Sequence, residues 1–320
     1  MRTTKQRTHD YYHMSSAYIS HPACRRHEMG AAHPECPQRL DVITDMLMTL
    51  RVLDMLVHYD APEVTLEQLL RVHDAGYMDF LERILPKSDY RNIDMDTRMN
   101  PKTLRAARFA AGSVVLAVDR VMAGDIKNAF CAVRPPGHHA TADTAMGFCF
   151  YNNVAVGAAH AIAEHGLERV AIIDFDVHHG NGTDAIFDGN DSVKLFSLFE
   201  KNLFPMNGAD SSLGDGVYIE LPSGSGGPEM RAAVEKTWLP ALDEFRPEMI
   251  FVSAGFDAHL QDEISDLHWS DADYQWVTQR CLDVAEKHSD GRLVSVLEGG
   301  YDLDSLARCA AAHVKQLANL

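Results

Sequence analysis

The densest chemistry in this sequence lies in Asp174-Phe175-Asp176-Val177-His178-His179-Gly180-Asn181-Gly182-Thr183. In an extended chain, side chains at i, i+2 and i+4 share one face, so Asp174, Asp176 and His178 are expected to point together while the segment stays extended. Two carboxylates and an imidazole on one face resemble half of a metal site. Three further segments supply complementary groups. Pro135-Pro136-Gly137-His138-His139 sets two imidazoles in a rigid turn, suited to proton transfer near neutral pH. Gly255-Phe256-Asp257-Ala258-His259 offers a third hard ligand, and Glu298-Gly299-Gly300-Tyr301 carries a phenol on a double-glycine turn. Two Asp and one His leave a coordination position for water, the pattern of a catalytic rather than a structural metal. Such a metal acidifies water and polarises a carbonyl, the histidines move protons, and a tyrosine OH holds an oxyanion, which together amount to amide hydrolysis. The ligand set leaves the choice of divalent metal open, Fe2+ or Co2+ included. Neither HExxH nor GxSxG occurs, so zincin and serine-hydrolase chemistry have no support.

Positioning these groups requires strands that end where the polar residues begin. Val170 to Ile173 is an apolar run that reads as a strand buried on both faces, as in a parallel sheet covered by helices. Further strands are expected at Ser16–Ser20, Leu56–Tyr59, Phe130–Arg134, Val193–Phe199, Val217–Leu221, Met249–Ala254 and Arg292–Leu297, with the strand at Val170 running to Asp176. Helical spacing covers 39–53, 65–85, 103–123, 153–165, 227–245, 271–288 and 303–317, the sixth opening with the capping box Ser270-x-x-Asp273. Residues 86–101 read as a charged loop, and 21–37, with three histidines and three prolines, as another. This alternation predicts an α/β fold with a doubly wound, mainly parallel sheet, whose ligands bind outside the C-terminal strand ends. Residues 1–14 read as a flexible tail and 15–320 as one catalytic domain, with no repeat or convincing linker.

Composition narrows the function classes. With 46% hydrophobic and 23% charged residues the chain is that of a soluble globular protein. A net charge of −17 argues against direct nucleic-acid binding, which needs a basic footprint. The six cysteines are scattered without a CxxC pair, as expected for reduced thiols in the cytoplasm. No run approaches the ~20 apolar residues of a membrane span, so no membrane association is expected. A homo-oligomer is compatible with all of this.

Arg134 to Ala140, Gly147 to Asn153, Asp174 to Thr183, Gly255 to His259 and Glu298 to Leu303, in that order, resemble the histone deacetylase family, closest to its class II branch and the bacterial histone-deacetylase-like amidohydrolases. The similarity extends from His33-Pro34-Glu35-x-Pro37-x-Arg39-Leu40 to the last helix. It implies the arginase/deacetylase fold and a zinc ion held by Asp176, His178 and Asp257. It also implies His138 and His139 as the electrostatic and acid/base pair, oriented by Asp174 and Asn181, with Tyr301 donating to the carbonyl oxygen. Asn181, where many class I members carry Asp, points to class II. A structural potassium would fall on Asp174, Asp176, His178, Ser197 and Leu198, and a second near Phe187, Asn190 and Val193. Gly147, Phe148, Phe204, Ile264 and Gly299 would line the substrate tunnel, Phe148 and Phe204 sandwiching the acyl-lysine stem, with Arg39 near the inner end. Arginases share the fold but need further Asp ligands; here the motifs continue His179-Gly180-Asn181 and Ala258-His259, so one metal is expected.

The implied substrate is an acylated lysine in a peptide or protein, or a small acylated amine. Ile264 stands at the gatekeeper position and is apolar, which favours acyl-lysine; adjacent Glu263 replaces the usual proline and keeps an acetylpolyamine as the alternative. Phe199 stands where many relatives have histidine. A non-catalytic acyl-lysine-binding protein is the reading from a different class, and the presence of every expected catalytic residue argues against it.

Overall fold

The computed structural model describes residues 15–205 and 213–320. The expected tail, 1–14, lies outside the described residues. Eight strands form one parallel sheet: β1 (Ser16–Ser20), β2 (Val57–Asp60), β5 (Asn128–Cys131), β6 (Val170–Asp174), β7 (Val193–Glu200), β8 (Val217–Leu221), β9 (Met249–Ala254) and β10 (Leu293–Leu297). Two further strands, β3 (Arg91–Asn92) and β4 (Arg98–Met99), make a separate antiparallel hairpin inside the segment expected to be a loop. The sheet order is β2-β1-β5-β10-β9-β6-β7-β8. Every residue of β5, β6, β9 and β10 is buried, which is why these strands read as continuous apolar runs rather than alternating ones.

The helices are α1 (Gln38–Thr49), α2 (Leu66–Leu69), α3 (Ala75–Ile84), α4 (Thr103–Met122), α5 (Asn153–His165), α6 (Asn181–Phe187), α7 (Gly227–Ala233), α8 (Leu239–Phe245), α9 (Asp271–His288) and α10 (Leu303–Leu317). Helices α4 and α5 pack together on the sheet, as do α10 with α1 and α9. This is the doubly wound α/β architecture that the alternation predicts. Helices α7 and α8 are joined through a π-helical segment, Val234–Trp238, into the single run expected over 227–245.

Three boundaries differ for identifiable reasons. The helix expected over 65–85 is broken: after α2 the chain turns so that His73 Nε2 accepts from the Asn152 amide at 2.9 Å and Asp74 N donates to Ala142 O at 2.8 Å. The strand expected to reach Asp176 stops at Asp174. There Asp174 Oδ1 accepts from Asp176 N (3.1 Å) and Asp176 Oδ1 accepts from His178 N (2.9 Å), so side-chain turns replace strand alternation. The strand expected over Phe130–Arg134 begins and ends earlier, because Arg134 is diverted into a buried ion pair with Glu35. Among the described residues, no helix is long and apolar enough to cross a membrane.

Candidate metal and acid–base site

Strands β5, β10, β9 and β6 are neighbours in the sheet, and each of the four chemistry-bearing segments follows one of them. Residues separated by up to 163 positions (His138 and Tyr301) are thereby gathered at one end of the sheet. One ligand atom each from Asp176, His178 and Asp257 lies within 4.8 Å of the others, and all three residues are buried. His178 Nδ1 is 2.9 Å from Asp176 Oδ1 and 3.3 Å from Asp257 Oδ2. Asp257 Oδ1 accepts from Val177 N at 3.0 Å, whereas its buried Oδ2 has no hydrogen-bond partner. Gly299 N donates to Asp176 Oδ2 at 2.8 Å, and a Cβ on Gly299 would lie 2.0 Å from Asp257 Oδ2.

These residues fit a divalent cation. Burial opposes a charged His178, yet Asp176 and Asp257 outweigh it and push its pKa up to about 10. Burial and then Asp176 push Asp257 up to about 6. Two buried carboxylates that hold a proton on the imidazole between them, with one oxygen left orphaned, form a donor set whose charge a dication would balance.

The two adjacent histidines differ in their partners. His138 Nδ1 lies 2.9 Å from the Asp174 carboxylate; burial works against its protonation, but Asp174, Asp176 and Glu298 hold its pKa well above the usual imidazole value. His139 Nδ1 lies 2.7 Å from the neutral Asn181 Oδ1, and burial followed by His138 and His178 holds its pKa well below that value. An amide oxygen only accepts, so His139 carries its proton on Nδ1 and presents Nε2 as a lone pair. Asn181 opens α6, a helix not expected from the sequence, and its Nδ2 donates toward Met146 Sδ at 3.4 Å.

Glu298, which has no role legible in the sequence, ties the segments together through its buried carboxylate. Oε2 accepts from Gly137 N (2.7 Å) and His138 N (3.2 Å), while Oε1 accepts from Ser253 Oγ (3.1 Å). Burial pushes its pKa up to about 7, against the pull of His138. The available signal was an acid at the end of an apolar strand, immediately before a double glycine. Arg39, also fully buried, donates from Nε to Gly300 O at 2.7 Å, and its guanidinium sits 5.0 Å from the Tyr301 ring. Burial, then Asp257, raises the Tyr301 phenol well above its ordinary value, so it remains a neutral donor.

Of the expected tunnel residues, Gly147 (φ +54°) passes so close that a Cβ would meet His139 Cδ2 at 2.4 Å and Phe204 Cε1 at 3.0 Å. The Phe204 ring centroid is 5.0 Å from that of His139, whereas Phe148 packs edge-on against Tyr301 at 5.9 Å. Ile264 lines a cavity of about 370 Å3 beside Tyr301, together with Glu263, Gln261, Asp262, Asp302 and Pro34. Of the expected potassium residues, Ser197 pairs in register with Asp174, and its Oγ is 3.0 Å from His179 Nδ1; Leu198 follows on β7. The second set folds into a turn in which Asn190 N donates to Phe187 O (2.9 Å) and Val193 N to Asn190 O (3.2 Å). Histidines in the 21–37 loop are not all solvated: His27 is fully buried and bonds Thr103 Oγ1 at 2.8 Å, and His33 packs edge-on against Phe148.

Residues 33–317 match the family model described as the histone deacetylase domain. The chain is 38% identical over 312 residues to a histone deacetylase-like amidohydrolase of Pseudomonas aeruginosa, covering 95% of this chain and 80% of that protein. It is 35% identical to type-2 histone deacetylase 2 of Dictyostelium discoideum, covering 93% of this chain and a 20% share of that longer protein. The crystal structure of the HDA15 HD domain superposes with a TM-score of 0.87 at 35% identity, covering 96% of this chain and 89% of that one.

Proposed function

The chain belongs to the histone deacetylase domain family and is a hydrolase of its deacetylase/amidohydrolase kind; on that premise we propose that it removes acetyl or related acyl groups from N-acyl-lysine-type amines, using zinc held by Asp176, His178 and Asp257. The observation that carries this reading is the convergence of those three buried ligands around an orphaned Asp257 Oδ2, directly beside the His138–His139 pair. Zinc bound there would supply Lewis-acid polarisation of the acyl carbonyl and acidify a water. His139 Nε2, freed as a lone pair by the Asn181 contact, takes the proton from the attacking water. Protonated His138, held by Asp174, faces the developing negative charge. The Tyr301 phenol donates to the carbonyl oxygen as charge gathers on it. When the C–N bond breaks, the proton taken by the histidine pair goes to the amine nitrogen, giving a carboxylate and a free amine. Gly147, Phe148, Phe204, Ile264 and Gly299 would line the approach, and a structural potassium would be held by Asp174, Asp176, His178, Ser197 and Leu198, of which Asp174 and Ser197 pair in register. The free cysteines, five of them buried, agree with a cytoplasmic setting, and the acidic net charge of −17 with a protein or small-amine substrate rather than nucleic acid.

A second reading, acetylpolyamine hydrolysis, draws on one observation: exposed Glu263 shares the cavity wall with Ile264, and Asp262 and Asp302 stand beside them. Metal content measured together with turnover of an acetyl-lysine peptide and of acetylspermidine, with and without chelator, tests both. One equivalent of zinc with chelator-sensitive peptide turnover is expected. Turnover of acetylspermidine alone would replace the first reading with the second, and metal without hydrolysis of either would overturn both.

A further inference from the structure

A second cluster of metal-ligand side chains lies on a different surface of the molecule, where α4 packs against the C-terminal end of α5. Asp119 of α4 faces His160 and His165 of α5, and the three offer ligand atoms within 4.8 Å of one another. Both imidazoles point the same nitrogen at the same oxygen: His160 Nε2 is 2.8 Å and His165 Nε2 2.9 Å from Asp119 Oδ1. The rings are 5.7 Å apart and inclined at 74°, so they approach that oxygen from different directions. His160 is buried, His165 half-buried and Asp119 exposed, which leaves one side of the cluster open to solvent.

From this convergence we propose that Asp119, His160 and His165 form a second, non-catalytic site for a divalent transition-metal ion, with water completing its coordination. Around a tetrahedral ion with ~2.0 Å bonds, neighbouring ligand atoms sit roughly 3.3 Å apart, so small outward rotations of the two rings admit the ion. Two imidazoles and one carboxylate suit Zn2+, Ni2+, Co2+ or Cu2+ rather than Mg2+ or Ca2+, which take oxygen ligands. The remaining described cluster, His259, Asp271 and Cys309, is unlike it: Arg308 already occupies Asp271 at 2.9 Å, and burial keeps the Cys309 thiol protonated.

One neighbour tunes the site. Arg71 NH1 lies 3.1 Å from His160 Nδ1, and a guanidinium can only donate, so Nδ1 accepts and the imidazole proton sits on Nε2. Binding a metal through Nε2 moves that proton to Nδ1 by way of solvent, and Arg71 must then withdraw toward Glu164, which its NH2 already contacts at 2.5 Å. Arg71 therefore competes with the ion. A bound ion would cross-link α4 to α5 and stabilise the native state by mass action.

The test uses the full chain already loaded at its catalytic centre, titrated with Zn2+ by calorimetry, with thermal unfolding followed in parallel. Wild type is expected to take up one further equivalent and to gain Tm. His165→Ala and Asp119→Asn, both at accessible positions, should weaken that equivalent by at least ~10-fold and lose the Tm gain. Arg71→Met should tighten it, and deacylase turnover should stay unchanged in all three. No further equivalent in wild type would overturn the proposal. So would an equivalent that survives both His165→Ala and Asp119→Asn, which would place the ion elsewhere, for example on the histidines of residues 1–14.

Discussion

Replacing Glu35 by Gln probes the buried ion network behind the Tyr301 turn. The Glu35 carboxylate is fully buried. It accepts from Arg134 Nε and from Arg134 NH2 at 2.7 Å, and from Arg39 NH1 at 3.1 Å, with His27 Nε2 at 3.4 Å. Gln preserves the shape but leaves two guanidinium groups sealed from water without a counter-charge. Breaking a buried pair in this way costs about 3–5 kcal/mol. At ~2 °C per kcal/mol for a chain of this size, Tm should fall by about 6–10 °C. Burial alone would raise the Glu35 pKa, but Arg134, His27 and Arg39 outweigh it and hold it well below the ordinary carboxylate value. A depressed carboxylate contributes stability that is complete above its unfolded pKa of ~4.3 and is lost as pH falls through the folded value. Differential scanning calorimetry of wild type and Glu35→Gln from pH 8 to pH 3 should therefore show a constant Tm gap down to about pH 4.5, closing below it. A gap under ~2 °C at pH 7 would mean that water reaches these charges, and a gap that widens in acid would refute the linkage.

Tyr301→Phe removes only the proposed donor to the carbonyl oxygen, so kcat on an acetyl-lysine peptide should fall at least ~10²-fold with little change in metal content; near-normal kcat would refute that role. Gly299→Ala places a Cβ 2.0 Å from Asp257 Oδ2 and 2.5 Å from Asp176 Oδ2. Zinc retained after desalting should therefore drop at least ~10-fold in that variant while far-UV circular dichroism is preserved, and full zinc retention would count against the assigned ligands. His313 is buried between Thr278 Oγ1 (2.7 Å) and Ser295 Oγ (2.8 Å), and burial lowers its pKa to about 3. Because the folded imidazole resists protonation, it lowers stability as pH drops from ~6.5 toward 3, and His313→Gln should flatten that part of the unfolding curve.

Much of the architecture was legible because the central strands are buried on both faces. Val170–Asp174 and Met249–Ala254 announce themselves as apolar runs, and the polar residues after them mark where the sheet stops. The pairing of His138 with Asp174 and of His139 with Asn181 was legible only through resemblance to a family, since both contacts join residues 36 and 42 positions apart. Asp176 and His178 converge, as the i, i+2, i+4 spacing predicts, yet backbone amides bonding to Asp side chains, not strand alternation, set their directions. The β3–β4 hairpin escaped notice because its strands are two residues long and mostly charged or exposed, leaving no period to read. Glu298 is not legible because two of its three carboxylate partners are backbone amides, which any residue can supply, and the third, Ser253, lies 45 positions away.

The order of strands across the sheet also has a consequence for how the chain emerges during synthesis. Strands β9 and β10 fill the middle of the sheet, between β6 and β5, yet they come last in chain order among its eight strands. Until residues 249–297 leave the ribosome, β5 and β6 each keep one short, mostly apolar edge with no partner. At about 5–20 residues per second that interval lasts on the order of ten seconds. A nascent chain with two open edges of this kind can pair with other chains, and a holdase that covers β5 and β6 would act in that window. A ribosome stalled before Met249 would thus leave a polypeptide with two exposed edges and only Asp176 and His178 of the three proposed ligands, so on that proposal added zinc could not rescue it.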